Sequence, residues 1–138
     1  MRCAKAADEC VLTRTGPGDR ETQRMTIDLT AFEPAIRAHA GDWDALGATW
    51  ALKPISPNHG KPVTLVEFET SAWLVGVIVW ETGELDLDAA RKSDGRLVSK
   101  HYDLETESEF EAVFAQVLAL LRDGEAPQGA MTSWLNGG

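Results

Sequence analysis

One stretch, AWLVGVIVWETGELDLDA at residues 72–89, constrains the fold more than any other part of the chain. Its first half is a continuous apolar run, and its second half alternates leucine with acidic residues. Thr82-Gly83, between the halves, is typical of a tight turn. An apolar run predicts a strand inside a sheet, and an alternating run predicts a strand with one buried face. The stretch therefore predicts an antiparallel hairpin at the centre of a sheet.

Three further strands are predicted around this hairpin, at residues 48–53, 62–69 and 96–104. The first two precede the hairpin, and Thr70-Ser71 is a candidate turn into it. The third follows Asp94-Gly95, which tolerates the positive φ of a type I′ turn. The proline-rich segment PISPNHGKP between the first two strands is predicted as a loop. The sequence thus predicts a five-stranded antiparallel meander.

Two helices are predicted, one before the meander in the chain and one after it. Thr30 and Glu33 have the spacing of a capping box, and Gly41 is a plausible end for this N-terminal helix. Asp42 to Leu46 then reads as a connector that carries Trp43. The C-terminal helix is predicted from an apolar stripe at three- and four-residue spacing, formed by Phe110, Val113, Phe114, Val117, Leu120 and Leu121. The predicted class is α+β, a single domain with the C-terminal helix packed on the sheet.

The ends of the chain differ in composition from this domain. Residues 1–24 combine Gly, Pro and charged residues without periodicity. This composition predicts either a disordered arm or a start codon placed too far upstream. Residues 25–124 are predicted as the α+β domain, and residues 125–138 as a C-terminal tail. The first segment also holds both cysteines, Cys3 and Cys10, whose separation does not fit a zinc site.

The charge of the chain narrows its possible partners. The formal net charge is -9, from 13 basic and 22 acidic residues. Such a charge opposes binding to phosphate backbones and to anionic membranes, and it favours a basic protein partner. No signal peptide is evident, and the longest apolar run is too short to span a bilayer. We expect a cytoplasmic protein that binds neither nucleic acid nor membrane.

The turns also predict which side chains share a face of the sheet, because a one-residue change of register inverts both faces. A two-residue turn at Thr82-Gly83 places Trp80 opposite Leu85 and predicts a first face that includes Leu74, Gly76 and Ile78. This face is the expected floor for the C-terminal helix. The second face is then half apolar and half acidic, and it contains Val66, Phe68, Trp73, Val75, Val77, Val79, Glu84, Asp86, Asp88 and His101.

Two arrangements of this second face remain open. The N-terminal helix or the tail covers its apolar half, or both helices lie on the first face and the second stays exposed. An exposed apolar patch bordered by carboxylates is typical of an interaction surface. The candidate partner-binding residues are Trp73, Val75, Val77, Glu84, Asp86, Asp88 and His101.

The sequence predicts no catalytic, nucleotide-binding or metal-binding site. Asp86, Asp88 and His101 are the clustered titratable residues, and the carboxylates would raise the pKa of the histidine. No pocket or positioned substrate accompanies them, and alternating acids on a half-buried strand are typical of a solvated face. No nucleotide or metal motif is present, and the five tryptophans lack the interleaved basic residues of a nucleic-acid platform. We expect no enzyme activity, no cofactor and no metal.

The order of elements resembles that of small immunity proteins that neutralise bacterial polymorphic toxins. The segment GELDLDAARKSDGRLVSKHYDLETESEFEAVFAQVLALL, residues 83–121, is similar to the TriTu-type group. The resemblance implies a cytoplasmic inhibitor without catalysis that binds a cognate effector domain. It carries over no site residues, because no defined motif is available to match.

Three hypotheses follow. In the first, the acidic-apolar face docks on a basic toxin domain and occludes its active cleft. In the second, the chain is a homodimeric chaperone or scaffold that uses the same face against a second copy. In the third, a small molecule binds between the sheet and the C-terminal helix, near His101, Tyr102 and Trp80.

Overall fold

The computed structural model describes residues 26–58 and 61–134; the predicted arm at residues 1–24 lies outside them. The helices are α1 (Phe32–Arg37), α2 (Ala40–Ala45) and α3 (Phe110–Asp123), with 3-10 turns at Leu29–Ala31 and Glu107–Glu109. The strands are β1 (Thr49–Leu52), β2 (Ser56–Asn58), β3 (Lys61–Glu69), β4 (Trp73–Trp80), β5 (Glu84–Arg91), β6 (Arg96–Asp103) and β7 (Met131–Trp134).

The strands form one antiparallel sheet in the order β1-β3-β4-β5-β6-β7, and the three-residue β2 also pairs with β3. The predicted α+β class with an antiparallel sheet is confirmed, but the predicted number of five strands is wrong. Within the described residues six strands form the main order. The sixth, β7, comes from the segment predicted as a tail, and β2 comes from the segment predicted as a loop.

The N-terminal helix is divided in two, because His39 leaves helical geometry at φ -107° and ψ 20°. The predicted connector after it forms α2 and carries Trp43 into the core. The Trp43 side chain is fully buried, and its ring nitrogen donates a hydrogen bond to the Ile36 carbonyl at 2.8 Å. Its ring centroid lies 4.4 Å from that of Phe68 on β3. Trp43 therefore joins the N-terminal helices to the sheet.

All the helices contribute to one core on a single side of the sheet. Phe32 of α1 packs against Phe110 and Phe114 of α3, with ring centroids 5.1 and 5.4 Å apart. Phe114 also contacts Phe68 at a centroid distance of 6.2 Å. The helix α3 ends at Gly124, whose φ of +70° is the left-handed conformation common at helix C-termini. The result is a two-layer molecule, with helices over one face of the sheet.

The face that the helices cover is set by the loop between β4 and β5. Val79 pairs with Leu85 and Val77 pairs with Leu87, so the loop has three residues, 81–83, instead of the two expected. Gly83 adopts a φ of +98°, and its N–H donates to the Trp80 carbonyl at 2.9 Å. One extra loop residue inverts the pairing parity between the two strands.

The predicted assignment of faces on β4 is therefore wrong. Trp73, Val75 and Val77 lie in the core, with exposed fractions of 3%, 3% and 0%. They share the covered face with Leu85 and Leu87 of β5, both fully buried. The apolar half of the expected second face is thus the floor on which the helices pack.

Candidate functional site

The side of the sheet opposite the helices is the candidate functional site, and we call it the open face. In the described residues, no helix or strand packs against it. The register of β3 to β6 places these side chains on it: Val63, Leu65, Glu67, Glu69, Leu74, Gly76, Ile78, Trp80, Glu84, Asp86, Asp88, Ala90, Leu97, Ser99, His101 and Asp103.

A shallow groove of about 670 Å³ crosses one half of the open face. Leu74, Gly76 and Ala90 lie along its floor, and Leu74 is 48% exposed. Glu67 and Asp88 line its two sides. A concave surface that combines exposed apolar side chains with carboxylates is suited to a ligand or partner that is apolar in part and positively charged.

Carboxylates dominate the charge of the open face. On β3 to β6 the open face carries one lysine, Lys61, two positions before Val63. It carries six acidic residues, namely Glu67, Glu69, Glu84, Asp86, Asp88 and Asp103. Lys61 donates to Glu84 at 2.5 Å, and this hydrogen bond is the main reason why the pKa of Glu84 lies below its usual value. Lys92, in the turn directly after β5, similarly contacts Glu69 at 2.7 Å. The face keeps an excess of negative charge.

His101 lies among these carboxylates on β6. Its Nδ1 is 2.7 Å from Asp86 Oδ1 and its Nε2 is 3.1 Å from Asp103 Oδ1. These two hydrogen bonds, Asp86 first, raise the pKa of His101 above its usual value. The predicted direction of this shift and the predicted partner Asp86 agree with the structure. Asp88, the other predicted partner, accepts from Ser99 instead, and Asp103 is a partner that the sequence reasoning missed.

The environment of His101 leads to a pH prediction. Because the pKa of His101 is raised in the folded state, its protonated form stabilises the fold fully below the unfolded pKa of about 6.5. This contribution is lost as the pH rises through the folded value. We expect Asp86→Asn to lower the pKa of His101 in an NMR titration, while Asp123→Asn, far from this site, leaves it unchanged. An unchanged pKa in Asp86→Asn would contradict the assigned contact.

The structure brings four of the predicted site residues together on the open face: Glu84, Asp86, Asp88 and His101. It separates the other three, Trp73, Val75 and Val77, which lie beneath the helices and are not accessible to a partner. Sequence reasoning missed the apolar side chains that accompany the acids, namely Leu65, Leu74, Ile78 and Trp80. Finding them depends on the length of the loop at residues 81–83, which the sequence leaves open between two and three residues.

The residues of the small-molecule hypothesis do not form one pocket. Tyr102 lies on the helix side of β6, where its hydroxyl donates to Gln116 of α3. His101 and Trp80 lie on the open face instead.

Within residues 26–58 and 61–134, no group of three or more His, Cys, Asp or Glu side chains is arranged to hold a metal ion. Among the described helices, none combines the length and apolarity needed to cross a membrane.

Comparison with known proteins identifies one family. The model of one protein family, described as Immunity protein TriTu, matches residues 32–120. The match begins at α1 and ends within α3, so it includes the strands β1 to β6. No curated protein and no solved structure matches the chain.

Proposed function

The chain belongs to the TriTu family of immunity proteins, and on that premise we propose that it inhibits a cognate bacterial toxin by binding it through the open face. The proposed mechanism needs no catalysis by this chain. Bound to a basic cleft of the toxin, the open face would exclude the toxin's substrate. We propose the cytoplasm as the place where it meets the toxin.

The observation that carries this proposal is one face that combines exposed Leu74 and several half-buried apolar side chains with an excess of carboxylates. Negative charge accelerates encounter with a basic partner, and buried apolar contacts then hold the complex. From the strand spacing and length, the face has a projected area of roughly 600 Å². A standard interface buries roughly 800 Å² on each partner, so the face supplies most of what one needs.

The same charges favour a toxin over a second copy of this chain. A homodimer formed through the open face would bring two sets of six carboxylates together. Like charges placed across an interface oppose association, and they cost several kcal/mol when they are desolvated. The open face is therefore suited to a basic heterologous partner.

We expect the double substitution Asp86→Lys with Asp88→Lys to abolish protection in cells that co-express the cognate toxin. Both side chains lie on the open face, and reversing their charge places lysines against a basic partner. The dissociation constant for the purified toxin domain should rise at least about 100-fold.

The matched control is Asp123→Lys with Glu125→Lys, which makes the same change in net charge near the end of α3. Both residues are exposed and lie away from the open face. This control should protect cells as well as the original chain does. Equal protection by both double variants would defeat the proposed mechanism.

A further inference from the structure

Gly76 occupies the centre of the groove on the open face. In the register of the sheet it lies between Glu67 of β3 and Asp88 of β5, and Ser99 follows Asp88 on β6. Two strand spacings separate the backbones of Glu67 and Asp88, about 10 Å. The pair of carboxylates therefore flanks a position that has no side chain.

The fold itself does not need glycine at this position. A Cβ atom placed on Gly76 would meet only Leu65 Cδ1, at 4.0 Å, which is an ordinary van der Waals contact. The φ of Gly76 is not among the positive values in the chain. Glycine inside a strand weakens the sheet and often marks a close approach by a ligand or another chain. Because Gly76 has no side chain, the groove is deeper at this position, between the side chains of Leu74 and Ile78.

The two flanking carboxylates have no cation beside them. Within the part of the chain that the structure describes, the Glu67 carboxylate makes no hydrogen bond or ion pair, and the Asp88 carboxylate accepts one hydrogen bond, from the Ser99 hydroxyl at 2.7 Å. The other acids of the open face contact Lys61, Lys92 or His101. Among the described residues, the negative charge beside Gly76 therefore has no cationic partner.

We propose that the depression over Gly76 receives a lysine or arginine side chain of the toxin, held between Glu67 and Asp88. The aliphatic part of that side chain would lie on Leu74 and Ile78, and its charged end would reach the carboxylates. Gly76 then determines specificity, because the side chain of any larger residue would fill the depression. This inference rests on the proposed function and names the chemistry that the open face recognises.

The test is Gly76→Leu, with Gly41→Leu as its matched control. A Cβ on Gly41 would meet nothing within 4 Å, so this position also has room for a side chain, but it lies on α2, on the helix side of the sheet. We expect both variants to keep the thermal unfolding midpoint of the original chain or to exceed it. Gly76→Leu should weaken binding to the toxin domain at least about 100-fold, and Gly41→Leu should leave it unchanged.

A second pair of variants keeps the proposal testable if Gly76→Leu does not fold. Glu67→Gln preserves shape and removes the charge, and it should weaken toxin binding at least about 10-fold, whereas Glu125→Gln should not. Substituting the toxin's basic residues one at a time should identify one whose loss has no further effect in Glu67→Gln.

The outcomes separate the two proposals. If the original chain binds the toxin and both Gly76→Leu and Glu67→Gln bind it equally well, then no basic side chain of the toxin binds over Gly76. The proposed immunity function would still stand. If the original chain does not bind the toxin at all, the proposed function and this inference both fail.

Discussion

We expect Val77→Lys to remove most of the stability of the fold, whereas Ile78→Lys, one residue further along β4, should leave the stability nearly unchanged. Val77 is fully buried, and it pairs with Val66 and Leu87 on the helix side of the sheet. A lysine there must bury an unpaired ammonium group or displace the helices. The cost should be about 4 kcal/mol or more, against a total stability of about 5–15 kcal/mol for an ordinary domain.

The neighbouring substitution is the matched control. Ile78 lies on the open face between Leu65 and Asp86, so a lysine there faces solvent and gains an acidic cross-strand neighbour. Its effect on the free energy of unfolding should stay within about 1 kcal/mol. Circular dichroism and urea unfolding of both variants give the comparison. A folded Val77→Lys beside an unfolded Ile78→Lys would show that the helices cover the opposite face.

Secondary structure could be predicted from this sequence where periodicity was long enough to decide it. The stripe from Phe110 to Leu121 predicted α3, and the apolar run of β4 and the alternation of β5 predicted two paired strands. The acidic side chains could also be placed on one face together, because alternation within β5 does not depend on any turn. The exposed positions of Asp86 and Asp88 therefore followed from the sequence.

Which apolar residues share that face could not be predicted, because the answer depends on one residue of loop length. Thr82-Gly83 fits both a two-residue turn and the last part of a three-residue loop, and the two choices place opposite faces of β4 beside Asp86. The strand β7 was missed for another reason. Four residues contain too little alternation to indicate a strand, and pairing with β6 stabilises them only in the folded sheet.

Gly83→Ala should be the most damaging substitution of any glycine described, with an expected loss of about 2–4 kcal/mol in the free energy of unfolding. The backbone of Gly83 has a φ of +98°, which side chains with a Cβ rarely adopt. A Cβ there would also lie 2.3 Å from the Leu104 carbonyl oxygen, a contact that backbone atoms must move to relieve. Urea unfolding measures the loss.

Gly129→Ala separates the two causes. Gly129 has a similar φ of +84°, but a Cβ on it would meet only the end of the Lys100 side chain, at 3.8 Å. Its loss should be about 1 kcal/mol, the cost of backbone conformation alone. The extra loss at Gly83 would come from the Leu104 backbone, whose N–H also donates to the Gly83 carbonyl at 2.8 Å. Equal losses would mean that the Leu104 backbone moves aside without cost and that the only penalty at Gly83 is its backbone conformation.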